Sequence, residues 1–239
     1  ADFAAMCEAA HSRGIRVVLD GVYSHTGSNS LYFNREGAFD GVGAYNSPDS
    51  PYYSWYTFYQ YPDKYQSWWD FDTLPTVKKM DPAFVEYIIT GEDSVIEHWL
   101  NLGADGFRLD VISRLKKMPG FPDCNQKPDP IEDKNNFIRA RCMCTDVPGI
   151  HDFLQELNAE VFGKRAVFTV GEGAGITEEN ALMYIAPERK ELDSVYHFQL
   201  SSRSRYTITP EHFRTVQKKW AEVIEKGGWA VQYLSNHDS

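Results

Sequence analysis

Four short segments of this chain each place a carboxylate at the end of a strand-like run. They are Val17-Val18-Leu19-Asp20, Gly106-Phe107-Arg108-Leu109-Asp110, Phe168-Thr169-Val170-Gly171-Glu172 and Tyr233-Leu234-Ser235-Asn236-His237-Asp238. Parallel strands closed into a barrel bring their C-terminal ends to one face, and that face carries the chemistry. One such acid would mean little. Four in order, two of them with a nearby histidine, point to an enzyme that works with paired acids.

Between these runs the rhythm is helix, then strand. Phe3, Met6, Cys7 and Ala10 recur at helical spacing, and Gly14 closes that helix. Residues 15–20 then predict a strand that is apolar on both faces, as parallel sheets require. Val95, Ile96, Trp99 and Leu100 predict a second helix, closed by Gly103 before a strand over residues 104–110. Phe153, Leu154, Leu157 and Val161 predict a third, closed by Gly163 before a strand over 166–172. Residues 194–199 read as another strand. Phe213, Val216, Trp220 and Ile224 predict a last helix, broken at Gly227 and Gly228, before a strand over 229–234. Alternation of this kind predicts an α/β fold with a parallel sheet.

Two stretches interrupt the rhythm. Residues 25–80 are rich in Tyr, Trp, Gly and Ser, and are far longer than the usual βα loop of about 2–6 residues. They predict a small inserted domain. Its aromatic residues (Tyr52, Tyr53, Trp55, Tyr56, Phe58, Tyr59, Trp68, Trp69) are expected mostly in that domain's own core, since aliphatic residues are few. Residues 115–136, rich in Pro, Asp and Lys, follow the strand ending at Asp110 and are expected to rim the same face. Lys116 and Lys117 read as solvated.

The 239 residues suffice for one large domain or two small ones, and 42% hydrophobic with 24% charged residues suits a globular core. A net charge of -10 argues against nucleic acid, which needs a basic face. No apolar run approaches the roughly 18 residues of a membrane span. Cys7, Cys124, Cys142 and Cys144 lack zinc-type spacing, and reduced thiols in a cytoplasmic protein are expected.

The chemistry begins with Arg108 and Asp110. Residues two apart on a strand point the same way, so the guanidinium can orient and neutralise the carboxylate. An ionised, oriented Asp suits a nucleophile at a sugar carbon. Glu172 ends the next strand behind Gly171, which leaves room for close approach. Retaining glycosidases need two such carboxyls about 5–5.5 Å apart, and neighbouring strands lie about 4.8 Å apart. His25, His237 and Asp238 are placed to hold sugar hydroxyls. His98, His151, His197 and His212 read as structural, without partners.

At these residues the chain resembles the α-amylase family of retaining glycoside hydrolases. Asp20-Gly-Val-Tyr-Ser-His25, Gly106-Phe-Arg-Leu-Asp110, Val170-Gly-Glu172 and Asn236-His-Asp238 are similar to the family's four signatures, in order. Residues 68–79, with Leu74-Pro-Thr-Val-Lys78, resemble an extra signature. Residues 15–108 look most like the cyclomaltodextrinase and neopullulanase branch. From Asp110 onward, Met118-Pro-Gly-Phe-Pro-Asp123 and Val195-Tyr-His-Phe198 look more like oligo-1,6-glucosidases. The resemblance implies a partial (β/α)8 barrel of about strands three to seven, with a domain B inserted after the third. Residues 1–25 and 81–239 would form the barrel, and 26–80 domain B.

The resemblance further implies Asp110 as nucleophile, Glu172 as general acid and base, and Asp238 as stabiliser of the transition state. His25, Arg108, His237 and Val111 would bind substrate, Val111 being similar to the residue found there in enzymes that favour α-1,6 links. Asp20 would support the site by pairing with Arg108. The substrate would be a short α-1,6- or α-1,4-linked glucoside, cleaved by double displacement without a cofactor. No metal is expected in this chain, because Ser24 stands where many α-amylases carry a calcium-binding Asn. A structural calcium is an expectation for the full-length protein only. Strands one, two and eight of the family are absent, so the chain is expected to belong to a longer enzyme and to have little activity alone. Oligomeric state is left open.

Three other readings compete. Glucosyl transfer or sucrose isomerisation would use the same residues. A magnesium-dependent barrel lyase would use three acids as ligands, but Arg108 competes with a metal there. A non-catalytic binding relative is disfavoured by the presence of all three acids.

Overall fold

The computed structural model describes residues 2–118, 144–200 and 209–237. The chain divides into two compact units, Ala1–Asp110 and Val111–Ser239. The expected rim segment therefore lies largely outside the described residues, as do Cys124 and Cys142.

In the first unit, helix α1 (Asp2–His11) buries Cys7, and the chain leaves it through Gly14 at φ +72°. Strand β1 (Val18–Gly21) follows. The inserted segment holds two short antiparallel pairs, β2 (Phe58–Gln60) with β3 (Lys64–Tyr65) and β4 (Ser67–Trp68) with β5 (Phe71–Pro75). Helix α2 (Pro82–Val85) is started by Asp81, whose Oδ1 accepts from the Ala83 and Phe84 N–H groups, with Pro82 at the first helical position. Helix α3 (Val95–Asn101) is capped by Ser94 and leads through Gly103 into β6 (Gly106–Leu109). Gly103 sits at φ +106°, and a Cβ there would lie 2.9 Å from that of Cys7, so glycine is needed for both reasons.

Strands β1 and β6 are parallel, with Val18 opposite Gly106 and Asp20 opposite Arg108. Asp105 locks this register at its start. It accepts from the Val17 N–H (2.8 Å), bonds His11 Nε2 (2.7 Å) and pairs with Arg16 (2.9 Å). The expected two-sided burial of β1 is not found: Ile15 and Val18 are exposed. Among the described residues β1 pairs along one side only, with β6, and Val18 and Asp20, which share one face of the strand, are both exposed.

The inserted segment is built on aromatic packing. Phe33, Trp55 and Tyr56 are buried, and Phe33 lies 4.7 Å from Tyr65 and 4.9 Å from Tyr56 between ring centroids. Asn34, at φ +54°, substitutes for missing backbone pairing by bonding Phe39 and Gly41. The β4–β5 turn places Trp69 and Asp70 at φ +51° and +63°, as a two-residue hairpin demands. Trp69, Tyr59 and Phe71 remain exposed.

In the second unit, helix α4 (Ile150–Glu160) precedes β7 (Phe168–Gly173), helix α5 (Ala181–Ile185) precedes β8 (Ser194–His197), and helix α6 (Pro210–Glu225) precedes β9 (Ala230–Val231). All three strands are parallel, with Glu172 opposite Tyr196 and Tyr196 opposite Val231. Thr169 and Asp193 exchange hydrogen bonds at the start of β7 and β8. Helix α6 buries Val216, Trp220 and Val223, whereas Phe213 and Ile224, expected on the core face, are exposed. The buried residues keep the 3–4 spacing of one helix face, and Phe213 and Ile224, near the two ends of the helix, are exposed although they fall close to that face. The strand expected over 229–234 shrinks to β9, and Trp229 and Leu234 face solvent. Gly163, expected to end α4, instead lies inside a tight turn at Phe162–Lys164.

Cys7 is a free, buried thiol. No helix of the described residues is long and apolar enough to cross a membrane.

Asp105 offers a direct test of how β1 and β6 are joined. Burial opposes its charge, but hydrogen bonds from Val17, His11 and Arg16 outweigh that and hold its pKa below the usual carboxylate value. Its contribution should be complete above the unfolded pKa of about 4 and be lost as pH falls through the lower folded value. Asp105→Ala should lower unfolding free energy at pH 7 by about 1–3 kcal/mol, and the deficit should shrink in acid. An unchanged denaturation midpoint would contradict this.

Candidate active site

In the first unit the site is a cation between two acids. Parallel register sets Asp20 beside Arg108, and the two-residue strand period sets Asp110 on the same face. Arg108 Nη1 donates to Asp20 Oδ1 at 2.7 Å and to Asp110 Oδ1 at 2.8 Å. The Arg108 and Asp110 side chains are 15% and 17% exposed, and that of Asp20 is 55% exposed. The Asp110 N–H continues the ladder, donating to the Gly21 carbonyl at 3.1 Å. The nucleophile candidate is thus held by both its backbone and its carboxylate.

His25 lies just past β1. Its Nδ1 is 2.6 Å from the Ser24 hydroxyl, and its ring stacks on Trp68 at 5.7 Å. A backbone bridge to Thr76 fixes the segment. Desolvation pushes the imidazole pKa down; the Asp110 charge pushes it up and Lys79 adds to the lowering. The net direction favours a neutral ring, which can both donate to and accept from a hydroxyl. Sequence reasoning left Trp68 among core aromatics. Its place in the extra signature at residues 68–79 was the available clue that it belongs with His25.

In the second unit Glu172 ends β7 and is 6% exposed. The N–H of Val111 donates to Glu172 Oε2 at 3.1 Å. Val111 adopts φ +42°, ψ 43°, a left-handed conformation uncommon for any side chain and strained for a β-branched one. Gly171 does make room, but for core side chains: a Cβ there would meet Leu192 at 2.7 Å and Ile112 at 2.8 Å. His237 is exposed after β9, and Asp238 lies outside the described residues.

The four histidines expected to lack partners have neighbours. His197 stacks on Trp220 at 4.1 Å, bonds Gln232 and accepts the Gln199 N–H. His151 Nδ1 is 2.7 Å from Glu191 Oε2. His212 Nε2 is 3.3 Å from the Gln199 carbonyl, and His98 packs edge-on against Trp99. Lys117, expected to be solvated, is partly buried, and desolvation pushes its pKa down. Among the described residues no three His, Cys, Asp or Glu side chains converge as a metal-ligand set, and the Ser24 hydroxyl is engaged by His25.

A profile described as "Alpha amylase, catalytic domain" matches residues 1–239. The oligo-1,6-glucosidase of Parageobacillus thermoglucosidasius is 31% identical over 265 residues, covering 100% of this chain and 45% of that enzyme. An amylopullulanase of Thermoanaerobacterium thermosulfurigenes is 39% identical over 132 residues, 48% of this chain and 7% of its own length. Among solved structures, the trehalose-6-phosphate hydrolase TreA of Bacillus licheniformis superposes with a TM-score of 0.74 at 26% identity, over 100% of this chain and 45% of that one. The chain therefore spans less than half the length of the relatives it matches from end to end.

Replacing Arg108 by Met should leave the Asp20 and Asp110 carboxylates facing one another without a cation. A loss of about 1–3 kcal/mol in unfolding free energy at pH 7 is expected, discounted for the exposure of Asp20. Denaturant titration measures it. A variant as stable as the parent would mean that the bridge does not organise these strand ends.

Proposed function

Because the chain belongs to the α-amylase catalytic-domain family, we propose that it supplies the reacting groups of a retaining hydrolase of α-glucosidic bonds. Its fold is accordingly a partial (β/α)8 barrel. Asp110 attacks the anomeric carbon and forms a glycosyl ester while the bond to the leaving oxygen breaks. Glu172 gives its proton to that oxygen. It then takes a proton from water, which attacks the same carbon and releases Asp110. Asp238 stabilises the distorted sugar, and His25 and His237 bind its hydroxyls. We read residues 26–80 as domain B of the family.

The observation that carries this reading is the grip of Arg108 on Asp110, which presents a carboxylate in one orientation at a strand end. It is supported by the buried Glu172 carboxyl. Its Oε2 accepts the Val111 N–H. The oligo-1,6-glucosidase relative, 31% identical, favours short α-glucosides as substrates.

The test is hydrolysis of isomaltose, maltose, sucrose and β-cyclodextrin by the full-length protein that carries this chain. Cleavage of isomaltose or maltose is expected. Asp110→Asn and Glu172→Gln should each lower kcat/KM by at least about a thousandfold while leaving the fold intact. Activity retained in Asp110→Asn would sink the assignment.

A further inference from the structure

A buried polar network lies behind Glu172. Glu191 has a fully buried side chain, with Oε1 accepting from Arg189 Nη2 at 2.5 Å and from Gln155 Nε2 at 3.2 Å. Its Oε2 is bonded to His151 Nδ1 at 2.7 Å. On its other side, the His151 ring places Nε2 3.5 Å from Asp146 Oδ1. Asp146 also accepts from the Tyr184 hydroxyl at 2.5 Å and from Asn180 Nδ2 at 3.0 Å. This is two acids joined through an imidazole, satisfied by several donors. It is far more than a surface ion pair, and it is not among the groups that react.

The network reaches Glu172 by two routes. In the first, the Asp146 N–H donates to the carbonyl of Ser113 at 2.9 Å. Ser113 is completely buried in the turn Ile112–Arg114, and its hydroxyl donates to the carbonyl of Ala174 at 2.6 Å. Ala174 is two residues past Glu172, and Val111, which holds Glu172 Oε2, is two residues before Ser113. In the second route, Leu192 follows Glu191 and, with Ile112, fills the space beside Gly171. The Leu192 N–H is bound by the carbonyl of Tyr184, the residue whose hydroxyl bonds Asp146. Gly171, next to Glu172, therefore packs against two segments that share one anchor.

We propose that Ser113 is a positioning residue for Glu172, and that the Asp146–His151–Glu191 network anchors the turn through which it acts. Ser113 does not touch substrate. Its hydroxyl ties the turn to the chain beyond Glu172, which keeps the left-handed Val111 N–H aimed at Oε2 and the carboxyl in one orientation. This rests on the reading of Glu172 as general acid. A misplaced acid costs rate only where the leaving group needs a proton, so the proposal makes a distinctive prediction.

The experiment compares kcat/KM for two donors in the full-length protein, since kcat/KM reports the bond-breaking step. One is a disaccharide, whose leaving alcohol needs protonation. The other is α-glucosyl fluoride, whose leaving group needs far less help. Ser113→Ala should lower kcat/KM on the disaccharide about tenfold and on the fluoride less than about twofold. An equal loss on both donors would overturn the proposal, because it would mark a merely structural residue; so would no loss on either. If Ser113→Ala does not fold, Tyr184→Phe removes one anchor of Asp146 and should show the same donor dependence at smaller size. Glu172→Gln serves as the reference. Strong donor dependence in Glu172→Gln but none in the Ser113 variant rejects positioning alone. No donor dependence in Glu172→Gln rejects the acid role and positioning with it.

Discussion

A guanidinium held between two carboxylates fixes the strand ends on which the proposed chemistry stands. Arg108 can reach Asp20 only because β1 and β6 are parallel and in one register, and it reaches Asp110 only because both lie on one face of the same chain segment. A shift of one residue would turn each side chain to the opposite face and separate the charges. Asp105 sets that register at the other end of the same pair. The first unit thus has an ionic lock at each end of a short two-stranded ladder, with the catalytic candidate inside the second.

The second unit positions its carboxyl by different means. Gly171 lets Ile112 and Leu192 close on the strand, and Val111 accepts a left-handed conformation of a kind that costs about 1–3 kcal/mol. That strain is local to the turn that offers an N–H to Glu172. It is held in place by the hydrogen bonds of Ser113 and by the Asp146–His151–Glu191 network. An ion pair with Arg108 holds Asp110, and a main-chain N–H bonds Glu172.

Much of this was legible in the sequence. The helix–glycine–strand rhythm placed α3 and β6, where Ser94 and Gly103 mark the ends chemically, and the spacing of Arg108 and Asp110 anticipated their ion pair. Burial was less legible. Residues 15–20 look like a strand covered on both sides, because an apolar run does not say whether a neighbouring strand is present; Ile15 and Val18 are exposed. In α6, Phe213 and Ile224 lie close to the face of Trp220 but near the helix ends, and periodicity does not say how far along the helix that face is covered. The histidine partners were invisible. Glu191 sits between Lys190 and Leu192, and His151, which reads as structural, sits beside Asp152; nothing in the sequence pairs them, and only tertiary packing brings them together. Asp238 remains an assignment by resemblance, outside the described residues.

The central claim is that Asp110 becomes covalently bound to the sugar. The most direct measurement is to incubate the full-length protein with a fluorinated α-glucosyl fluoride that reacts quickly with the nucleophile and leaves slowly, then digest it and locate the adduct by mass spectrometry. The account predicts one glycosyl unit on the peptide containing Asp110, absent from Asp110→Asn. An adduct on another carboxylate, or turnover of the donor with no accumulated adduct, would contradict it.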